Sequence, residues 1–475
     1  MFIKKFFRRL IVASVAASSM LFTPNINEFN FLPVAHAEIQ TYKGIGEQII
    51  GNKDTVEDGI NLAKQKAELN AQEQAGLYLD SYSHAKNFEL LRDEITTITA
   101  NIIRIKSFKH NIELLNNSGG IKCTAIIVAE IDPDDLEKWL NKSMEQRLQI
   151  NSQYEELRKN YEAQEKRLKR LESLLSKSQK SSQDEKQIKA EYEKENKILE
   201  SNKKIEAGWK SWGSNDYVRA QTLFAEAAKL DSNNVNSYYG QAVAYENMKQ
   251  YDKAIPLFNK AIELKPDFAY AYNSRGKAYF NLKNHDQAIA DFSKAIDFNA
   301  NFESAYNNRG CVYNEMGQYV KAINDFAVSL NINPRFPEAR YNFAHAYANL
   351  HDYEKAIIHF GKFIELRPNF AEAYNERGHA YFFLPNYEQA LEDFSKAIEL
   401  KPTLAQAYFN RAVVYAQTAD FEAAINDMSK YIEINPNDAD AYYNRGRLYQ
   451  KVFKGEEAAK DFAKAKELGF KFPED

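Results

Sequence analysis

The chain has 475 residues, with 62 Lys+Arg against 66 Asp+Glu, a net charge of −4, and 44% hydrophobic and 27% charged residues. That composition excludes wholesale disorder, leaves room for two or three domains, and gives no electrostatic footprint for binding nucleic acid. Two cysteines, Cys123 and Cys311, build neither a disulfide framework nor a thiolate-rich zinc site by themselves.

Residues 1–37 read as a signal peptide. Lys4, Lys5, Arg8 and Arg9 precede an apolar run from Leu10 to Phe22, and Ala35-His36-Ala37 has the small-x-small pattern that signal peptidase cuts. The run is about 13 residues, short of the roughly 20 a membrane-spanning helix needs; an uncleaved anchor is the alternative. Cleavage after Ala37 predicts a mature chain starting at Glu38, with 58 Lys+Arg against 65 Asp+Glu and a net charge of −7. The expected location is the periplasm or the cell surface. No cysteine stands beside the cut to carry a lipid.

Residues 38–131 have the mixed patterning of a small α+β domain. The alternation Ile39, Tyr42 to Ile50 predicts a strand, Thr55 caps an Ala-rich helix to about Leu79, Asp93 to Ile102 reads as helical, and the runs flanking Asn116-Asn117-Ser118-Gly119-Gly120 predict a β-hairpin. Gly44-x-Gly46 is not a dinucleotide loop, because position 49 is Ile. Glu73-Gln74-Ala75-Gly76-Leu77-Tyr78, Ser81, Asp93-Glu94-Ile95 and Ile102 to Ile105 resemble the N-terminal domain of flagellar assembly protein T and related envelope lipoproteins. The resemblance implies an envelope setting, without the family's lipid-bearing cysteine.

Residues 132–200 form a helical linker that opens at Asp132-Pro133. Ile150, Tyr154, Leu157, Tyr161, Leu168, Leu171 and Leu175 alternate spacings of three and four, a coiled-coil seam broken at Gln164. Ser176 to Asp184 interrupts it, and Ile188, Tyr192, Leu199 and Ile205 resume a helix. Either the two helices fold back antiparallel or the first forms a homodimer.

Residues 201–472 repeat. Alanine recurs every 34 residues, at Ala220, Ala254, Ala288, Ala322, Ala356, Ala390, Ala424 and Ala458, each with a Gly or Ala twelve positions before it and a Phe or Met four after. A helical hairpin asks for this: small residues where two backbones approach, and a large knob beside them. Pro266, Pro334, Pro368, Pro402 and Pro436 end second helices. These residues, with the Tyr-x-x-A-I-x-x-F-x-x-A-I core of Tyr251 to Ile262, resemble the tetratricopeptide repeat, which implies an α-solenoid of eight units. Unit 1 lacks the Pro and unit 8 puts Phe470 at its place. The overall fold class is mostly α.

Arg275, Arg309, Arg377, Arg411 and Arg445 stand at position seven of units 3, 4, 6, 7 and 8, and the same units carry Asp291, Asp325, Asp393, Asp427 and Asp461 at position twenty-three. The other three units lack both, so the pattern predicts an ion pair inside each hairpin. The resemblance implies a concave groove lined from the first helices. Carried over residue by residue, it holds Asn273, Asn307, Tyr341, Asn375, Phe409 and Tyr443 at position five and Phe280, Phe382 and Phe383 at positions twelve and thirteen. Asn can satisfy both polar groups of an extended peptide backbone, and aromatic rings offer pockets. Cys311, His345 and His379 at position nine of units 4, 5 and 6 are the one conceivable metal set, and the reading expects no metal there. No nucleophile elbow, phosphate loop or HExxH occurs. The expectation is a non-enzymatic scaffold of the bacterial cell envelope, without cofactor, binding a partner protein or extended peptide in its groove; the alternative is a glycan- or peptidoglycan-binding envelope protein.

Overall fold

The structure of the chain, a computed structural model, describes residues 40–50, helical residues between 56 and 75, 103–114, 121–131, helical residues between 160 and 175, and 182–471. The signal segment, the hairpin tip Asn116 to Gly120, the Asp93–Ile102 helix, Asp132-Pro133 and the seam residues Ile150, Tyr154 and Leu157 lie outside the described residues. The described residues divide into two compact units, one ending at Gln287 and one beginning at Ala288.

In the first unit, β1 (Gln40–Ile50), β2 (Ile103–Leu114) and β3 (Ile121–Ile131) form an antiparallel sheet in the order β1-β3-β2. One face of β3 is shut off from solvent through Cys123, Ala125, Ile127, Ala129 and Ile131, and Ala63, Ala67, Ala71 and Ala75, four apart on the helical segment, are buried in the same core. Spaced so, they put one methyl-lined helix stripe toward the sheet, and Lys66 and Gln74 of that helix donate to the carbonyls of Glu47 and Lys43 at 3.1 and 3.2 Å.

The linker folds back. Tyr161 donates to Glu206 at 3.2 Å, Asn202 to Gln164 at 2.9 Å, Arg167 meets Glu191 at 2.9 Å and Tyr192 donates to Glu172 at 3.0 Å, so one helix descends as the other rises. Leu168 and Leu171 of the seam are buried within the chain.

Helices then come in pairs: α1 (Ser182–Gly213), which runs unbroken into the first repeat, α2 (Tyr217–Leu230), α3 (Val235–Asn247), α4 (Tyr251–Leu264), α5 (Ala269–Asn281), α6 (His285–Phe298), α7 (Glu303–Glu315), α8 (Tyr319–Ile332), α9 (Pro337–Asn349), α10 (Tyr353–Leu366), α11 (Ala371–Phe383), α12 (Tyr387–Leu400), α13 (Ala405–Gln417), α14 (Phe421–Ile434), α15 (Ala439–Lys451) and α16 (Gly455–Glu467). Odd-numbered helices are the first of each unit. The recurring small residue faces the recurring ring: a Cβ built on Gly208, Gly310, Gly378 or Gly446 would meet Phe224, Phe326, Phe394 or Phe462 at 2.7 to 2.9 Å. From Ala288 onward, first helices also pack on one another, α7 on α9 and α11 on α13, while second helices do not pack to that extent. From Ala288 onward the first helices therefore form the inner side of the curve.

Each first helix ends on a left-handed residue at position fifteen: Asn215, Lys249, Lys283, Gly317, His351, Pro385, Ala419 and Phe453, with φ from 24 to 73°. The next residue's N–H then closes the helix end, as Gln250 to Tyr245 and Asp420 to Tyr415 at 2.9 Å. Gly317 and Asn215 have residue types that fit. Replacing Ala419 with Gly should stabilise the protein by about 0.5–1 kcal/mol, and Pro385→Gly should gain more, because proline favours φ near −65° and has no N–H for the cap. Denaturant midpoints check both; a loss of stability in Pro385→Gly would refute the assignment of this turn.

Candidate functional site

Position five is where the structure departs from the groove expected from the sequence. Asn273, Asn307, Tyr341, Asn375 and Phe409 are 2 to 8% exposed, and so is Phe280 at position twelve. Over Asn307 and Asn375 lies the next first helix. Asn342 donates to Asn307 and Asn410 to Asn375, each at 3.0 Å, so these amides are satisfied by position six of the following unit and present little surface to a peptide. Phe409 packs on Tyr431 at 5.2 Å, inside the core of units 7 and 8. Tyr443 is half-buried and stacked under Phe470 at 4.2 Å, with Arg447 donating to its hydroxyl at 3.2 Å. Of the expected groove set, Phe382 and Phe383 keep open surface without such a lid. Phe383 lies parallel to Tyr353 at 4.6 Å, and Phe382 sits 6.0 Å from Tyr387.

Four of the expected ion pairs are two-pronged. Arg309 holds Asp325, Arg377 holds Asp393, Arg411 holds Asp427 and Arg445 holds Asp461, through Nε and Nη2 at 2.7 to 2.9 Å. The carboxylates are buried and the guanidinium groups mostly so. Burial raises the Asp393 carboxyl from its ordinary value despite Arg377, and the hydrogen bond to Asp393 raises the Arg377 guanidinium. Each Arg lies over the Tyr three residues before it, as Arg309 over Tyr306 at 5.7 Å. The third nitrogen reaches back to the previous unit: Arg309 to Ser293, Arg411 to Ser395 and Arg445 to Ser429 at 2.9 to 3.0 Å, with Arg275 to Asn259 at 2.6 Å. At these four units the arginine thus also ties hairpin to hairpin, whereas Gly361 offers Arg377 no side chain. Asp291 is buried as well.

Unit 5 replaces the pair with Phe343 and His359, whose rings lie 4.4 Å apart, and Tyr347 stacks on His359 at 5.6 Å. Burial and the charges of Arg340 and Lys362 push the His359 imidazole down to about 4.

On the inner side of units 5 and 6, His345 and His379 are half-buried, and burial lowers both to about 4, so they are neutral near pH 7. Their rings sit on aromatics, His345 on Tyr341 at 4.6 Å and His379 on Phe383 at 4.9 Å. Cys311, the third residue of the conceivable metal set, takes the Asn342 amide at 3.2 Å. Among the described residues no group of three His, Cys, Asp or Glu is placed to hold a metal ion. The sequence reading passed over Glu376, at position six beside Tyr341; its signal was a carboxylate where units 5, 7 and 8 have Asn342, Asn410 and Asn444. Burial, with the charge of Glu372, pushes its carboxyl up to about 7.

Tetratricopeptide-repeat family models match residues 235–268, 269–302 and 371–404, residues 303–336, 337–370 and 405–438, and residues 428–467. Similar solved structures include YrrB, described as a tetratricopeptide-repeat protein with an unusual peptide-binding site (26% identity, 39% of this chain and 95% of that one, TM-score 0.34). They also include MamA (29% identity, 34% and 93%, TM-score 0.33) and PilW, described as a type IV pilus biogenesis factor (24% identity, 44% and 96%, TM-score 0.41). No curated protein matches the chain.

Proposed function

Residues 235–467 are tetratricopeptide repeats, and from that premise we infer that the protein is a non-enzymatic scaffold holding an extended segment of a partner protein against the inner side of its first helices. The observation that carries this reading is the contrast along those helices. Position five is sealed in units 3 to 7, while His345, His379, Phe382 and Phe383 at positions nine, twelve and thirteen keep part of their surface open. Partly exposed rings on helices whose cores are already packed are what protein interfaces are made of. An envelope setting is supported by the basic and apolar segment ahead of Ala35-His36-Ala37.

The test is capture from envelope extract by the immobilised full chain, before and after muramidase. A bound protein is expected in both, and Phe382→Ala should weaken its capture by about 2 kcal/mol, some thirtyfold, at unchanged helix content. Equal capture by the folded variant would move the seat off this face, and capture abolished by muramidase would make the ligand a glycan.

A further inference from the structure

The inner side of units 5 and 6 is short of positive charge. Glu372, Glu376, His379 and Phe383 follow one another at spacings of four, three and four, which places them on one stripe of α11. On α9, Glu338 stands at the same position as Glu372, and one of its carboxylate oxygens is fully buried without a hydrogen-bond partner. In units 4 to 7 no Lys or Arg occupies positions two, five, six, nine, twelve or thirteen; Arg447 is the first to do so beyond them.

Glu376 is the anomaly within this stripe. In units 5 and 7 the same position carries an Asn that completes a hydrogen bond to the preceding unit. Glu376 instead faces Tyr341 and accepts from the Asn375 amide at 3.2 Å. A carboxylate in an amide's place, hemmed in by protein yet partly open, costs stability that an Asn would not.

We propose that this stripe seats a Lys or Arg side chain of the bound partner segment, its charge on Glu376 and its alkyl stem along Phe383. The proposal rests on the partner-binding reading of this face and specifies what the face selects. Charge complementarity carries it: carboxylates in excess, histidines held neutral by burial, and an orphaned carboxylate oxygen on Glu338 at the equivalent position of the preceding unit. The titratable groups that act on Glu376 are Glu372 on its own helix and Tyr341 on α9, while His379 and His345 on the same two helices act on each other. Lys401, after α12, is bonded to Glu372 at 2.8 Å, and α13 presents Gln406, Phe409 and Asn410, none of which titrates.

A cation binds the ionised carboxylate, and with the carboxyl near 7 its ionised share rises about tenfold from pH 6 to pH 8. The folded state holds this proton more tightly than the unfolded one, so its contribution to stability is present below about 4.5 and is lost as pH rises to about 7.

The probe is an array of extended twelve-residue peptides differing only in a central Lys, Arg, Ala or Glu, bound by the full chain at pH 6 and pH 8. Lys- and Arg-centred peptides should bind at least tenfold tighter than Glu-centred ones, and about tenfold tighter at pH 8 than at pH 6. Glu376→Gln should remove both differences, and its melting temperature should exceed that of the parent at pH 8 but not at pH 4.5. Peptides bound without preference for a cation, or a preference that survives Glu376→Gln, would overturn the proposal and leave partner binding standing. No peptide bound at any pH would count against both.

Discussion

Gly310→Val should destabilise the second unit by more than about 3 kcal/mol. A Cβ at this residue falls 2.7 Å from the Phe326 ring, and that ring is completely buried, so it has no empty space to turn into. Ala stands at the same position in units 2, 5 and 7, as Ala242, Ala344 and Ala412, so a single methyl can be accommodated where the hairpin is slightly wider; Gly310→Ala should accordingly cost about 1–3 kcal/mol. Unit 7 suggests the rescue. Its Ala412 faces Met428, an unbranched side chain that yields more readily than a ring, so Phe326→Met should recover much of the loss in Gly310→Ala. Hydrogen exchange of α7 and α8 reads the effect locally, which matters because a repeat array need not unfold in one step. Native-like protection in Gly310→Val would show that the two helices are not held as close as described.

Asp427→Ala should cost about 3 kcal/mol. It strands the Arg411 guanidinium, which is largely buried and would retain only Ser395 Oγ at 2.9 Å and the faces of Tyr408 and Tyr415. The double replacement Arg411→Phe with Asp427→His copies the Phe343–His359 arrangement of unit 5 and should be less damaging than Asp427→Ala alone, because it leaves no unpaired charge. A denaturant series on the three variants checks the order. A cost below about 0.5 kcal/mol for Asp427→Ala would reduce the pair to a surface contact.

The repeats were legible because their packing imposes a period of 34 residues, and the joint presence of Arg and Asp gave the contact inside the hairpin before any coordinates did. The tie to the preceding unit was equally legible and was missed. Position twenty-five reads Asn259, Ser293, Gly361, Ser395 and Ser429 in the units before an Arg, and Ala225, Ala327 and Ala463 in the others. The Asn row misled for a different reason. Position five faces inward, but the next first helix lies over it, and whether an inward side chain meets solvent or a neighbouring helix depends on how closely units stack, which spacing along one chain does not encode. The left-handed turns at position fifteen were hidden because seven of the eight are not glycine.

The joint between units 4 and 5 has a different character on its two sides. On the inner side, the Asn342–Asn307 hydrogen bond fixes α9 against α7 at 3.0 Å. On the outer side no Arg reaches back, since Phe343 and Ala327 stand at the two positions involved, and the contact across the joint is ring to ring, Phe343 to Phe326 at 6.4 Å. A hydrogen bond depends steeply on angle, whereas a ring contact depends mainly on separation. Pinned by amides on one side and held by rings on the other, the joint should yield more readily to rotation about the amide pair than to rotation that breaks it. Rotation about it would widen or narrow the inner curve just ahead of Glu376 without breaking any of the four two-pronged ion pairs, which gives the array a place to adjust its curvature to the length and bulk of what it holds.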